Sequence, residues 1–240
     1  KARVIITSPN YLLANFANVD KSYLCDSERN IFVFDEAHHL SDKILSAFAS
    51  SLDLSTNYRE ELKRLGKMQG DRSGASIDIA SERMLAMWNA AAQSTLAMLG
   101  DGTQHRFTLG EAPGSYIELL GDLKGSIRNL LDVLEDTTAA QNAQAKASGA
   151  RRSAMSVIFQ SRVGQMRGDL ENAIETLDDF IEPSDDRARW LAKGRSSIEI
   201  RSSPFDSGDK ARMHLWPRIK TCVLTSATLS TLGSFDATRA

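Results

Sequence analysis

The 240-residue sequence has little cysteine and no long apolar run. Its two cysteines, Cys25 and Cys222, lie far apart and form no CxxC pair, so no zinc or cluster site can be read from their spacing. No apolar stretch approaches the roughly 20 residues of a membrane-spanning helix, and no signal peptide is visible. We therefore expect a protein of a reducing compartment with no membrane partner.

The sequence also lacks a strong excess of charge of either sign. Its net charge is -2, its pI is about 6.1, and 42% of its residues are hydrophobic and 25% charged. These values are typical of a globular domain. They exclude binding of nucleic acid by a uniformly basic chain, so any such contact must come from a local basic patch.

A glycine-rich phosphate loop of the form GxxxxGK[ST] is missing as well. The one Gly-Lys pair, Gly66-Lys67, is followed by Met68, and Glu61 stands where the first glycine would be. Phosphoryl transfer depends on positioning and charge neutralisation around the phosphates. We therefore expect no ATP hydrolysis by this chain alone. Because the sequence starts at Lys1 and enters an apolar stretch at once, we interpret it as a fragment of a longer protein.

The two ends of the chain carry an alternating strand and helix pattern. Short apolar runs predict buried strands at 3–7, 30–35 and 221–230. Helices are predicted from Pro9 and from Ser41 to Ser51, because proline suits a first helical turn and serine is a good N-cap. This alternation predicts an α/β fold with a parallel sheet.

The middle of the chain has helical periodicity and almost no strand signal. Apolar residues at helical spacing predict three long helices, at 77–99, 115–135 and 151–182. Residues 137–150 are small and polar, and we predict a mobile connection there. A hairpin of 189–192 and 197–201 about Gly194 and a helix at 207–216 follow. We expect a sheet domain of residues 1–55 and 196–240, interrupted by an all-helical insertion of residues 56–195.

Two adjacent acids, Asp35 and Glu36, end the apolar strand at 30–35. Ligands of parallel α/β sheets bind beyond the carboxyl ends of the strands. An aspartate there can hold Mg²⁺ against nucleotide phosphates, and a neighbouring glutamate can deprotonate an attacking water. The structural alternative is an acidic helix start, which the helix dipole favours.

Two short motifs make the catalytic interpretation more specific. The sequence DEAH at 35–38 resembles motif II, the Walker B element, of superfamily 2 helicases, and TSATL at 225–229 resembles their motif III. The resemblance implies that Asp35 binds Mg²⁺ and that Glu36 is the catalytic base. Residues that couple nucleotide to nucleic acid are, by the same resemblance, His38, His39, Thr225, Ser226, Ala227 and Thr228.

The long interval between these motifs resembles the Arch insertion of the DinG and XPD group of iron–sulfur helicases, and HRFTLGEAP at 105–113 resembles the bacterial DinG branch. The resemblance implies a partial RecA-like P-loop NTPase sheet interrupted by an Arch-like insertion. It further implies ATP and Mg²⁺ as cofactors, a 4Fe–4S cluster whose cysteines lie outside this chain, and 5′ to 3′ movement on single-stranded DNA in repair or replication. A cytoplasmic bacterial protein is expected on the same ground.

Charge is unevenly distributed near the end of the predicted insertion. Residues 169–186 hold eight acids and no Lys or Arg, whereas 187–220 hold nine Lys or Arg and three acids. Candidate DNA contacts interleaved with Trp190 are Arg187, Arg189, Lys193, Arg195 and Arg201. The alternative is a solvated hairpin surface, which the frequency of basic surface residues favours.

Two other function classes remain open at this point. The insertion could be a non-enzymatic module that binds a protein partner, with the sheet serving only as its base. The chain could also belong to an inactive, helicase-like regulator. A Walker A loop and four cysteines in a longer sequence would favour the helicase, and partner binding by the insertion alone would favour the module.

Overall fold

A computed structural model describes residues 4–17, 31–69, 71–108, 111–148, 154–182 and 186–227. The chain divides into two compact units. Unit 1 consists of Lys1–Ala49, Asp186–Ala188 and Ser203–Ala240, and unit 2 consists of Ser50–Asp185 and Arg189–Ser202. The predicted boundaries, at residues 55/56 and 195/196, lie a few residues from these.

Both units contain helices and strands. In chain order they are α1 (Pro9–Ala17), β1 (Ile31–Phe34), α2 (Leu40–Ala47), β2 (Ser50–Asp53), α3 (Arg59–Lys67), α4 (Asp71–Leu99), β3 (Gln104–Arg106), α5 (Gly114–Ser148), α6 (Ala154–Ile181), β4 (Arg187–Lys193), β5 (Ile198–Pro204), α7 (Ser207–Lys210) and β6 (Thr221–Leu224). A π-helical stretch, Ala211–Leu215, and 3₁₀ turns at Ala37–His39 and Trp216–Arg218 complete the described structure.

Unit 1 is built on a parallel pair of strands. β1 pairs with β6 in parallel, with Phe32 opposite Cys222 and Phe34 opposite Leu224. Side chains alternate between the two faces of a strand, so Phe32 and Phe34 are buried while Ile31 and Val33 are exposed. The buried face packs against the helices of the unit through Leu12, Leu13, Leu40, Ile44, Ala211 and Leu215.

One prediction for the first fifty residues was wrong, and another was correct except for where the helix ends. The described residues of the predicted strand 3–7 form no strand, and Val4, Ile5 and Ile6 are exposed. A strand needs a hydrogen-bonded neighbour, which an apolar run alone does not supply. The helix expected from Ser41 to Ser51 begins at Leu40 and ends at Ala47, and β2 follows it.

Unit 2 is dominated by three long helices that bury a common core. Contacts between α4, α5 and α6 bring together buried side chains including Trp88, Leu120, Leu130, Phe159 and Phe180. The three helices confirm the predicted periodic segments. The predicted α/β class, with a small parallel sheet and a large helical segment, is confirmed as a whole.

The predicted mobile connection at 137–150 was wrong over most of its length, because α5 continues to Ser148. Alanine and glutamine favour helix despite their lack of large apolar surface. Amide side chains also fix this part of the helix: Gln141 donates to Gln69 at 2.7 Å, and Gln160 donates to Asn142 at 3.1 Å. Residues 149 and 150 lie outside the described part of the chain.

Unit 2 also contains a four-stranded sheet in the order β2-β5-β4-β3. β2 and β5 are antiparallel, as are β3 and β4. The sheet corrects the expectation of an all-helical insertion. The strands β2 and β3 are short and polar in sequence, SSLD and QHR, so they carry no apolar pattern that would have predicted them. Across the described ranges, no helix is long and apolar enough to cross a membrane.

Candidate nucleotide site at the end of two parallel strands

The acids predicted as catalytic lie where β1 ends, beside the end of β6. Backbone pairing continues past both strands, because Thr225 N–H donates to the Phe34 carbonyl at 2.9 Å and Ala37 N–H donates to the Thr225 carbonyl at 2.9 Å. Asp35 and Glu36 are therefore held next to Thr225. The two motifs, 190 residues apart in sequence, meet at one edge of the sheet.

Side-chain hydrogen bonds join the two motifs directly. The Thr225 hydroxyl donates to Asp35 Oδ1 at 2.7 Å, and the Glu36 backbone N–H donates to the same oxygen at 3.0 Å. His38 Nδ1 lies 2.7 Å from Ser226 Oγ and 3.2 Å from Glu36 Oε2. The site is thus a connected set of oxygen and nitrogen groups rather than a pair of isolated acids.

Glu36 has an unusual backbone conformation. Its φ of 52° and ψ of 45° place it in the left-handed region, which costs a residue with a Cβ atom roughly 1–2 kcal/mol. The hydrogen bonds of Ala37 N–H to Thr225 and of His39 N–H to the Glu36 carbonyl hold this turn. The side chain stays 60% exposed at the sheet edge, where water and a ligand can reach it.

The groups at this edge suit a hard divalent cation. The carboxylates of Asp35 and Glu36 and the hydroxyl of Thr225 offer oxygen, which Mg²⁺ prefers. Within the described residues, no three His, Cys, Asp or Glu side chains converge on one metal position. Mg²⁺ usually binds one or two carboxylates together with waters and substrate phosphates, so the residues present fit an ion that arrives with a nucleotide.

The other residues named for coupling are only partly placed. His39 is exposed, and its ring centroid lies 3.8 Å from that of His38. Ala227 is exposed at the end of the described chain, and Thr228 lies outside the described residues.

The Gly66-Lys67 pair belongs to α3 rather than to a loop. Two cysteines cannot supply the four thiolates of a 4Fe–4S cluster, so this chain does not fit that group.

The five candidate DNA contacts occupy different environments. Arg189 is buried and donates to the Glu182 carbonyl. Arg187 donates to the Phe48 carbonyl at 3.2 Å, and Arg201 Nε donates to Glu199 at 2.6 Å. Lys193 and Arg195 are exposed at the turn between β4 and β5. Arg189 is thus the least exposed of the five candidates, and its guanidinium already donates a hydrogen bond within the fold.

One contact in unit 1 had no signal in the sequence. The hydroxyls of Ser41 and Ser207 lie 2.7 Å apart and join α2, which follows the acids, to α7. Their residues are 166 positions apart in the chain, and serine at a helix start predicts capping rather than a pairing across helices.

Unit 2 has a polar cleft of about 360 Å³ lined by residues that include Asp53, Tyr58 and Asp169. Burial raises the pKa of Asp53, but hydrogen bonds from Ser55 and from Ile198 N–H outweigh it and hold that pKa below its usual value. Burial, followed by the charges of Asp169 and Asp53, raises the pKa of Tyr58. Asp53 therefore stabilises the end of β2, and its hydrogen bonds are already used within the fold.

Comparison with known proteins finds similarity to a helicase. No family model matches the sequence. The chain is similar to the ATP-dependent DNA helicase DinG of Photobacterium profundum, with 25% identity over 260 aligned positions. The alignment covers 98% of this chain and 36% of that protein, so the chain spans about a third of the length of the curated relative.

Proposed function

We propose that this chain is part of an ATP-dependent DNA helicase of the DinG type and that its sheet edge forms half of the ATP site. The observation that carries this proposal is the hydrogen-bonded meeting of the DEAH and TSAT motifs on neighbouring parallel strands. The similarity to DinG over nearly the whole chain also supports it. Cytoplasmic location in a bacterium and a role in DNA repair or replication belong to the same proposal.

In this proposal Asp35 and Glu36 have separate roles. Bound Mg²⁺ would supply neutralisation of phosphate charge. Asp35 would hold the ion, since the donors from Thr225 and Glu36 N–H converge on Oδ1 and fix the orientation of the carboxylate. Glu36, with an exposed carboxylate, would accept the proton of the attacking water.

His38 and Ser226 would transmit changes at the ATP site to the end of β6. His38 Nδ1 lies within hydrogen-bond distance of both Ser226 Oγ and Glu36 Oε2. A shift of the Glu36 side chain toward a bound nucleotide would therefore alter the contact between His38 and the end of β6. We assign single-stranded DNA as the second ligand, with Lys193 and Arg195 as the exposed cations of the β4–β5 turn that could contact its phosphates.

The decisive experiment measures ATP hydrolysis, with and without single-stranded DNA, by the longer protein that carries this chain. We expect Glu36→Gln to lower the DNA-stimulated rate by about 100-fold or more, because loss of a general base costs about 10²–10⁴ in rate. Glu60→Gln, at an exposed glutamate in the first turn of α3, is the matched control and should leave the rate unchanged.

Hydrolysis that survives Glu36→Gln would contradict the assigned base, and the absence of any DNA-stimulated hydrolysis would contradict the helicase itself. The 240-residue chain alone is expected to show no hydrolysis above its Glu36→Gln variant, since it has no phosphate loop.

A further inference from the structure

The helix α2 begins directly after the turn that carries Glu36. This turn passes from Glu36 through the 3₁₀ residues Ala37–His39 into Leu40, the first residue of α2. Leu40 N–H donates to the Ala37 carbonyl, so the turn and the helix are joined by a backbone hydrogen bond. The eight residues of α2 span about 12 Å at 1.5 Å per residue. The position of this short, stiff helix therefore helps to set the position of the turn.

Glu36 needs such support because its backbone lies in the left-handed region. Strained residues of this kind persist only where the surrounding structure holds them from several sides. On one side, the hydrogen bond from Ala37 N–H to the carbonyl of Thr225 holds the turn to the end of β6. On the other side, the turn continues into α2. Contacts that fix α2 therefore also stabilise the conformation of Glu36.

Both ends of α2 are fixed by residues far away in the sequence. Near the start of the helix, Ser41 Oγ lies 2.7 Å from Ser207 Oγ. Phe48 is the C-cap residue, and its carbonyl accepts a hydrogen bond of 3.2 Å from the guanidinium of Arg187. Arg187 thus supplies a contact at the end of α2 that is farthest from Glu36.

The chemistry of Arg187 suits the end of a helix. The last carbonyls of an α-helix have no partner within the helix, and the helix dipole makes that end partly negative. A guanidinium is a cation and a hydrogen-bond donor at the same time. The preceding residue, Asp186, accepts hydrogen bonds from Phe205 N–H at 2.9 Å and from Lys210 Nζ at 3.2 Å. The half-buried side chain of Arg187 therefore extends from an anchored backbone.

We propose that Arg187 is a positioning residue for the ATP site, which holds α2 in place and, through α2, the turn that carries Glu36. The inference rests on the proposed function, since it adds a residue to the machinery of that same site. One alternative is a cap that stabilises only the last turn of α2, and the other is a direct contact to a DNA phosphate. The continuity of α2 with the turn favours positioning over a local cap, and the hydrogen bond to Phe48 favours it over a phosphate contact.

The first experiment measures hydrogen exchange of individual backbone amides by NMR in the isotope-labelled 240-residue chain. Arg187→Met removes the charge and the donors but keeps an unbranched apolar stem. The amides to follow are those of Ala37 and His39, which donate to the carbonyls of Thr225 and Glu36. We expect their exchange to become about tenfold faster, the factor that corresponds to one hydrogen bond from a charged group. Arg187→Lys keeps a cation and a donor at the end of α2 and should restore most of the protection.

Arg212→Met is the matched control. Arg212 is an exposed arginine of the same unit that pairs with Asp209 rather than with α2, so its loss should leave the amides of the turn unchanged. Faster exchange confined to Phe48, whose N–H donates to the Ile44 carbonyl, would make Arg187 a cap of the last turn and would overturn the inference. Unchanged exchange throughout unit 1 would contradict it as well.

The second experiment measures DNA-stimulated ATP hydrolysis by the longer protein. Arg187→Met should lower kcat by about tenfold and change KM for ATP by less than about twofold, because a displaced Glu36 affects the reacting centre rather than substrate binding. Arg212→Met should change neither value. A raised KM at unchanged kcat would show a role in nucleotide binding and refute positioning, as would kinetic constants that do not respond to Arg187→Met.

The two experiments separate failure of this inference from failure of the proposed function. Faster exchange at Ala37 and His39 without any Glu36-dependent hydrolysis would retain Arg187 as the residue that fixes the turn and would remove the enzyme. Hydrolysis that depends on Glu36 but is unaffected by Arg187→Met would retain the enzyme and remove the positioning role.

Discussion

Units 1 and 2 differ in where they place their polar side chains. Unit 2 seals its long helices around a core whose members include Leu120, Leu130 and Phe159, all fully buried. Unit 1 buries one face of a two-stranded sheet and leaves Asp35 and Glu36 exposed at its edge. The residues that form the core of this chain and the residues at its candidate nucleotide site are therefore largely different sets.

The same contrast holds for hydrogen bonds. In unit 2 a buried chain of hydroxyls joins two helices: Thr95 donates to the Ala91 carbonyl at 2.8 Å, and the Tyr116 hydroxyl lies 2.6 Å from Thr95 Oγ. In unit 1 the bond from Thr225 to Asp35 is exposed. A bond excluded from water is costly to lose, whereas an exposed one is readily replaced by water. Substitutions in the two units should therefore separate stability from activity.

The largest effect is expected in the core of unit 2. Phe159→Ala removes a fully buried ring from α6 and should lower the free energy of unfolding by about 3–5 kcal/mol. Val157→Ala, two residues earlier and exposed, is the matched control and should change it by less than about 0.5 kcal/mol. Urea denaturation followed by circular dichroism measures both. Equal losses would mean that this face of α6 is not a core face.

A smaller effect, with a pH signature, is expected at the buried hydroxyls. Tyr116→Phe should cost about 1 kcal/mol through the lost hydrogen bond. Burial raises the pKa of Tyr116 to about 12, above the value of about 10 in an unfolded chain. A group whose pKa is raised on folding stabilises the fold below the unfolded pKa. This contribution is therefore complete below pH 10 and is lost as the pH rises toward 12.

The measurement is the free energy of unfolding from pH 8 to pH 11. The original chain should lose roughly 1 kcal/mol more than Tyr116→Phe between these limits, because one pKa unit corresponds to about 1.4 kcal/mol. Parallel pH profiles would show that Tyr116 ionises as freely in the folded protein as in the unfolded chain. They would also weaken the contrast between a sealed unit 2 and an open unit 1.

The sequence predicted those parts of the fold that depend on periodic burial. Apolar steps such as Phe159, Val163 and Met166 indicated the long helices, and the apolar run before Asp35 indicated β1. Prediction failed where the cause lies elsewhere in the chain. β3 exists because Gln104–Arg106 pair with β4. The polar end of α5 is held by the amides of Gln69, which follows α3, and of Gln160 in α6.

Prediction of the candidate site likewise succeeded for local sequence patterns and failed for features that depend on distant residues. DEAH and TSAT could be recognised as short patterns that each follow an apolar strand, and the structure brings both to one sheet edge. No pattern predicted the left-handed backbone of Glu36, which depends on the hydrogen bond of Ala37 to Thr225. Nor did composition separate the exposed Arg195 from the buried Arg189 six residues earlier, because burial depends on packing by distant residues.

The smallest effect on stability is expected at the site itself. Thr225→Val removes the hydroxyl that donates to Asp35 Oδ1 at 2.7 Å but keeps the shape of the side chain. Because the bond is exposed, water can replace the donor, and the free energy of unfolding should change by less than about 1 kcal/mol. Thr221→Val, at the exposed first residue of the same strand, controls for the general effect of valine in β6.

The two variants should differ in activity rather than in stability. In the longer protein Thr225→Val should lower DNA-stimulated ATP hydrolysis by about tenfold or more. Without the Thr225 hydroxyl the Asp35 carboxylate is less well positioned, and misplacement of a group at a reacting centre costs up to about 10² in rate. Thr221→Val should leave that rate unchanged. If Thr225→Val instead destabilised unit 1 as strongly as Phe159→Ala destabilises unit 2, the exposed edge would be a structural element. Stability would then not depend mainly on unit 2, and substitutions at the sheet edge of unit 1 would not affect activity alone.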